Sequence, residues 1–219
     1  MSVLEGYTAA VFDCDGVLLD STEAKIKAFA ATLADESPEA VQTFLAFQRS
    51  NWGVSRYKSL KWFYGEVLRD VNADAKTAAA VTRFGAFSRK ALLDCPEMPG
   101  TRAYLTALQR ADIPTFVVTG GDEEEVNAVF AVRGLSRFFK RVLGSPRSKS
   151  DNIRLLMSGF GIVAPAMFFG DARADYEAAT SCGLDFTLIR RRSDWAEGTA
   201  VCKKANCPIF EDLSAALQG

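Results

Sequence analysis

The chain has 219 residues, 48% of them hydrophobic, and a formal net charge of −1. That size and apolar content support one sizeable core with a modest insertion, and the near-neutral balance excludes the basic footprint of a nucleic-acid binder. No run approaches the roughly 18 apolar residues of a membrane span, and MSVLEGYTAAVFDCDG lacks the basic start and cleavage site of a signal peptide, so the expectation is a soluble, cytoplasmic protein with no membrane partner.

Histidine is absent, which removes Ser-His-Asp and Cys-His catalysis and the common histidine metal sites. Acid–base chemistry then falls to Asp, Glu, Lys, Tyr or Cys. The five cysteines are odd in number and irregularly spaced, against a disulfide framework. Cys202 and Cys207 lack the further soft ligands that structural zinc needs.

In chain order, the first predicted strand is Thr8–Phe12 (TAAVF). A long helical stretch follows, from about Ser21 to about Leu93. Ser21-Thr22-Glu23 opens one helix, and Ser37-Pro38-Glu39 opens another, with Ser as N-cap and Pro at the first helical position. Tyr57–Leu68 and Ala75–Leu93 supply two more. Pro96, Pro99 and Gly100 mark the exit of this segment, and Leu18–Ser21 its start. Strands at Thr115–Thr119, Arg141–Leu143, Ala166–Phe169 and Phe186–Ile189 then alternate with helices at Pro99–Arg110, Glu123–Arg133, Ser150–Ser158 and Asp175–Cys182. Continuous apolar strands alternating with helices are the pattern of a parallel sheet covered on both faces. The expected fold is α/β: a Rossmann-like doubly wound core of residues 1–18 and 96–219, with an inserted all-helical domain of residues 19–95.

Four polar clusters close four of these strands, at the edge where open parallel sheets bind ligands. Asp13-Cys14-Asp15-Gly16 follows the first. Two carboxylates there are costly to keep ionised unless a cation meets them, and a hard cation such as magnesium takes oxygen ligands. Strand alternation turns Cys14 away from the aspartates, into the core. Thr119-Gly120-Gly121 follows the second strand and can hold phosphate oxygens. Lys149, after the third, can neutralise a phosphoryl group and nearby carboxylates. Gly170-Asp171 and Asp175 follow the fourth, where Asp171 also suits a turn and Asp175 a helix N-cap. Each cluster alone suits an ordinary turn; their order, acid–acid, Thr, Lys, acid–acid, is the specific signal.

This ordered set resembles the haloacid dehalogenase-like (HAD) hydrolase superfamily, and the insertion after the first motif is similar to its type 1 helical cap. The resemblance implies an Mg2+-dependent phosphatase acting on a small phosphorylated metabolite through an aspartyl-phosphate intermediate. Asp13 would be the nucleophile and Asp15 the general acid and base. Thr119 and the Gly120 amide would bind phosphoryl oxygens, and Lys149 would screen charge. The Asp13 and Asp171 carboxylates and the Asp15 backbone carbonyl would hold Mg2+, with Asp175 either near the metal or holding Lys149. Dehalogenase members usually lack an acid at the position of Asp15, and phosphonate-cleaving members carry a small residue there. The resemblance leaves a sugar phosphomutase, or a catalytically idle HAD-like binding domain, as alternatives, and names neither substrate nor oligomeric state.

Within the cap, Arg49–Lys58 (RSNWGVSRYK) is a donor-rich helix–helix loop expected to touch the rest of the substrate, with a sugar phosphate as one candidate, through Asn51 and Arg56. The opposing expectation is that Arg49, Arg56, Lys58 and Lys61 face water while Trp52, Trp62 and Phe63 pack the cap.

Overall fold

The computed structural model describes residues 5–218. Residues 1–4 and 219, which fall in the expected core segments, lie outside the described residues. Six parallel strands form one sheet: β1 (Ala10–Phe12), β2 (Thr115–Asp122), β3 (Arg141–Ser145), β4 (Met167–Gly170), β5 (Asp185–Ile189) and β6 (Ile209–Phe210). Their order is β3-β2-β1-β4-β5-β6. The connection therefore reverses direction across the sheet between β1 and β4, the crevice in which open α/β sheets bind ligands.

Both faces of the sheet are buried, which is why its strands read as unbroken apolar runs. Ala10, Phe12 and Cys14 of the central strand and its extension enter one core with Tyr104, Val117, Phe130 and Phe169. Ala9 and Val11 enter the other with Phe116, Leu143, Phe168 and Phe186. Phe12 pairs in register with Val117 and Phe169, and its ring stacks on Phe169 at 4.8 Å. Asp13 thus leaves the middle of the sheet at a rigid position.

Helices α1 (Thr22–Thr32), α2 (Pro38–Ser50), α3 (Arg56–Trp62) and α4 (Ala73–Asp94) lie between β1 and β2 in the chain. Ser37 caps α2 by accepting from the Ala40 amide at 3.2 Å, and Pro38 takes the first turn. The four helices bury their own cluster around Phe29, Leu33, Phe44, Leu60, Phe63 and Phe84. Phe29 stacks on Phe84 at 3.8 Å, joining α1 to α4. The two connections to the sheet run side by side: Asp20 donates its amide to Pro96 O, and Met98 to Leu18 O, both at 2.9 Å.

The remaining helices are α5 (Thr101–Arg110), α6 (Glu123–Val132), α7 (Lys149–Phe160), α8 (Arg173–Ser181), α9 (Gly198–Lys204) and α10 (Leu213–Gln218). The sequence reading omits β6, α9 and α10, which are short and have too little apolar run to mark a period. It also stops β2 at Thr119, whereas pairing resumes at Asp122 with Ser145 after a register irregularity. Lys149 is the first residue of α7 rather than a loop residue. α3 passes directly into a π-helical turn, Phe63–Val67. Among the described residues no helix is long and apolar enough to cross a membrane.

Candidate active site

The ends of β1, β3 and β4 bring Asp13, Lys149, Asp171 and Asp175 together, all buried. Lys149 Nζ lies 3.1 Å from Asp13 Oδ1, an ion pair rather than an aligned hydrogen bond. It also donates to Asp175 Oδ1. The second Asp175 oxygen accepts from the Ala172 amide at 3.1 Å, closing the first turn of α8. Asp175 is thus not the N-cap of α8, and both of its oxygens are engaged, one by Lys149.

Asp171 contrasts with it. It is fully buried, and neither carboxylate oxygen has a hydrogen-bond partner. Asp13, Asp171 and Asp175 each offer an oxygen within 4.8 Å of the others. Unpaired buried carboxylates are costly unless a cation meets them, and an all-oxygen donor set suits a hard divalent ion. The residues present therefore fit Mg2+.

The electrostatics agree. Burial pushes the Asp13 carboxyl up to about 7, with Lys149 opposing and Asp175 and Asp15 adding to the rise. Burial, then the neighbouring Asp175 and Asp13, hold Asp171 well above the carboxylate range. Burial disfavours the Lys149 ammonium, but Asp13 and Asp175 outweigh it and raise its pKa. Cys14, buried in the core, is a thiol raised first by that burial.

Gly16 makes this assembly possible. Its φ is +79°, and a Cβ there would stand 2.3 Å from Asp171 Oδ2. The turn after β1 and the turn after β4 touch only because no side chain intervenes.

Asp15 lies beside this cluster and is held separately. Ser21 Oγ donates to Oδ1, and Lys25 Nζ to Oδ2 at 2.5 Å. Burial works against the Lys25 ammonium, but Asp15, then Cys14 and Glu125, act the other way and together leave its pKa raised. Sequence reasoning missed Lys25; the available signal was its place one turn after Ser21 on α1.

Thr119 is buried, and its Oγ1 accepts from the Gly121 amide at 3.0 Å. Gly120 is where the helical insertion meets the sheet, since a Cβ there would stand 2.3 Å from Gly53 O. A partly open cavity with about 30 Å³ of free space, room for one or two waters, lies here. Asp13, Asp15, Gly120 and Gly121 line it from the sheet side, and Lys25, Gln48, Trp52 and Arg56 from the helices.

Arg56 thus reaches the cavity and Asn51 does not. Asn51 is exposed, lines a neighbouring depression and donates its side-chain amide to Phe47 O at 2.9 Å. Arg56 is no solvated charge: it donates to both Glu125 oxygens at 2.7 and 2.9 Å, and lies 4.6 Å over the Phe84 ring. Lys58 and Lys61 are exposed. Trp62 stacks on Phe47 and Phe63 enters the helical core, but Trp52 instead packs with Ile26 and Ala172, between insertion and sheet.

Comparison with known proteins agrees with this geometry. A family model described as haloacid dehalogenase-like hydrolase matches residues 7–183. A phosphoglycolate phosphatase of Photorhabdus laumondii is 25% identical over 221 residues, 96% of this chain and 92% of its own length. One from Pseudomonas savastanoi is 27% identical over 127 residues, and there the match spans about half of the relative, 46% of its length. Among solved structures, a hydrolase from Pseudomonas syringae superposes with a TM-score of 0.77 at 18% identity, covering 96% of both chains. The HAD-hydrolase YfnB of Bacillus subtilis, solved bound to magnesium, does so at 0.64 and 17%, covering 85% of this chain and 90% of its own. With acidic turns after β1 and β4 joined by a buried lysine, and with the family model spanning most of its length, this chain belongs to the haloacid dehalogenase-like hydrolases.

Proposed function

We propose that the protein is an Mg2+-dependent phosphatase that hydrolyses small phosphate monoesters through an aspartyl phosphate on Asp13. The observation that carries this reading is the pair of unpartnered buried oxygens on Asp171, within reach of Asp13 and beside Lys149.

Asp13 and Asp171 would hold Mg2+, with the Asp15 carbonyl. When bound, the ion screens the negative charges of carboxylate and phosphoryl group and polarises the phosphoryl oxygens. An Asp13 oxygen attacks phosphorus, the bond to the leaving oxygen breaks, and Asp15 gives that oxygen a proton. Asp15 then takes a proton from water, which attacks phosphorus and releases phosphate and free Asp13. Both Asp15 oxygens are engaged by Ser21 and Lys25, so one of these contacts must open for proton transfer. Lys149 stays protonated and neutralises the transferred group, held by Asp175. Thr119 and the Gly120 amide would bind phosphoryl oxygens. The helices of residues 19–95 act as a cap that excludes water from the acyl phosphate, and Arg56 contributes to the cap side of the chamber.

The test is phosphate release from a panel of phosphorylated metabolites that includes 2-phosphoglycolate and sugar phosphates, with Mg2+ and with chelator. Metal-dependent release supports the reading. An isomerised sugar phosphate formed only with a bisphosphate activator would replace it with a mutase. A panel with no turnover of either kind would contradict both.

A further inference from the structure

α2 buries Ala40, Phe44 and Gln48, spaced four apart on one face. The first two join the helical core. The period requires an apolar residue at the third position as well, and an amide stands there. Gln48 is 3% exposed, and its Oε1 is buried with no hydrogen-bond partner. It lines the cavity above Asp13 and Asp15. An orphaned buried amide is destabilising, so a native structure that keeps one has a use for it.

The charges around it define what it meets. The two cations on the cap side of the cavity are already neutralised, Lys25 by Asp15 at 2.5 Å and Arg56 by both oxygens of Glu125. A leaving group carrying a carboxylate or second phosphate would have to break one of these pairs to find a cation there. Phe29, Trp52 and Phe84 supply apolar wall. An amide, turned either way, pairs with a hydroxyl, which both donates and accepts.

We infer that Gln48 selects the leaving group, and that the preferred substrates are phosphate monoesters of short neutral alcohols bearing a further free hydroxyl. Gln48 hydrogen-bonds that hydroxyl while the aromatic wall covers the carbon chain. This assignment rests on the phosphatase reading and goes beyond it in naming the substrate class.

Four probes separate the two. Acetyl phosphate tests phosphoryl transfer alone. Glycerol 3-phosphate carries the hydroxyls, propyl phosphate has the same chain without them, and 2-phosphoglycolate carries a carboxylate instead. The expected order of kcat/KM is glycerol 3-phosphate above propyl phosphate, by on the order of 10- to 100-fold, and above 2-phosphoglycolate. Gln48→Met should bring the ratio of kcat/KM for glycerol 3-phosphate over propyl phosphate down to about one, and leave Tm equal or higher because no amide is left unpaired. Because the readout is a ratio between two substrates of one variant, with Tm beside it, a collapsed variant cannot imitate this result. Acetyl phosphate turned over through Asp13, with propyl phosphate or 2-phosphoglycolate as good as glycerol 3-phosphate, overturns this inference alone. No turnover of acetyl phosphate overturns the phosphatase reading and this inference with it.

Discussion

At the scale of single residues, the site depends on a few atoms brought closer than side chains normally allow. Gly16 is the clearest case. Gly16→Ala would place a methyl 2.3 Å from Asp171 Oδ2, at a φ of +79°. The expected result is loss of metal-dependent activity together with a stability loss of about 1–3 kcal/mol, read by Mg2+ titration and by denaturant unfolding. Asp13, Asp15, Asp171 and Lys149 were legible in the sequence because each ends or follows an apolar strand. Whether Asp175 faces the metal or the lysine was not legible, because spacing places it on the first turn of a helix and says nothing of who donates to it. The structure shows both of its oxygens in use. Lys25 and Gln48 were hidden for another reason: a polar residue on an amphipathic helix reads as solvent-facing until tertiary packing buries it.

At the scale of elements, the insertion and the sheet are joined by a buried ion pair. Arg56 at the start of α3 meets Glu125 in the first turn of α6, and Ser88 of α4 donates to the same carboxylate at 2.7 Å. Removing one member leaves a charge buried without compensation. Arg56→Ala should therefore destabilise by about 3–5 kcal/mol. The double variant Arg56→Met, Glu125→Gln should lose less than the sum of its parts in chemical denaturation. Equal and additive losses would show that the pair is not coupled. The sequence could not supply Glu125 as the partner, since the two residues are 69 positions apart. A smaller contact at the far edge of the sheet carries a pH dependence. Burial tends to raise the Asp212 carboxyl, but its hydrogen bonds with Ser214 and the Ala215 amide outweigh this and lower its pKa. A depressed carboxylate stabilises above its unfolded pKa, and the gain is lost as pH falls through the folded value. Asp212→Ala should cost about 1 kcal/mol at neutral pH and progressively less below the ordinary carboxylate range, as measured by urea midpoints across pH.

At the scale of the whole molecule, the C-terminal edge of a buried parallel sheet supplies the charges, and four helices close over it. That division was readable from hydrophobic pattern alone, because unbroken apolar strands and a strand-free stretch of this length leave few other architectures. How the two parts meet was not, since it depends on contacts such as Gly53 against Gly120 and the paired connections at Asp20 and Met98. The concentrated negative charge at the edge predicts a ligand-dependent stability. Mg2+ at about 100 times its Kd should stabilise the protein by about 2.7 kcal/mol, seen as a rise in Tm without any substrate. Asp171→Asn should abolish that rise while leaving the metal-free chain no less stable, because neither carboxyl oxygen has a hydrogen-bond partner to lose. A rise of equal size in the variant would place the ion elsewhere.

The most direct test is to find the phosphoryl group. The protein, mixed with Mg2+ and acetyl phosphate, is quenched in acid within the first turnovers, digested and mapped by mass spectrometry. The account predicts one added phosphoryl group on the peptide containing Asp13, absent with chelator and absent in Asp13→Asn, which should also release no phosphate. Steady release of phosphate by Asp13→Asn, or a phosphoryl group on any other residue, would contradict it.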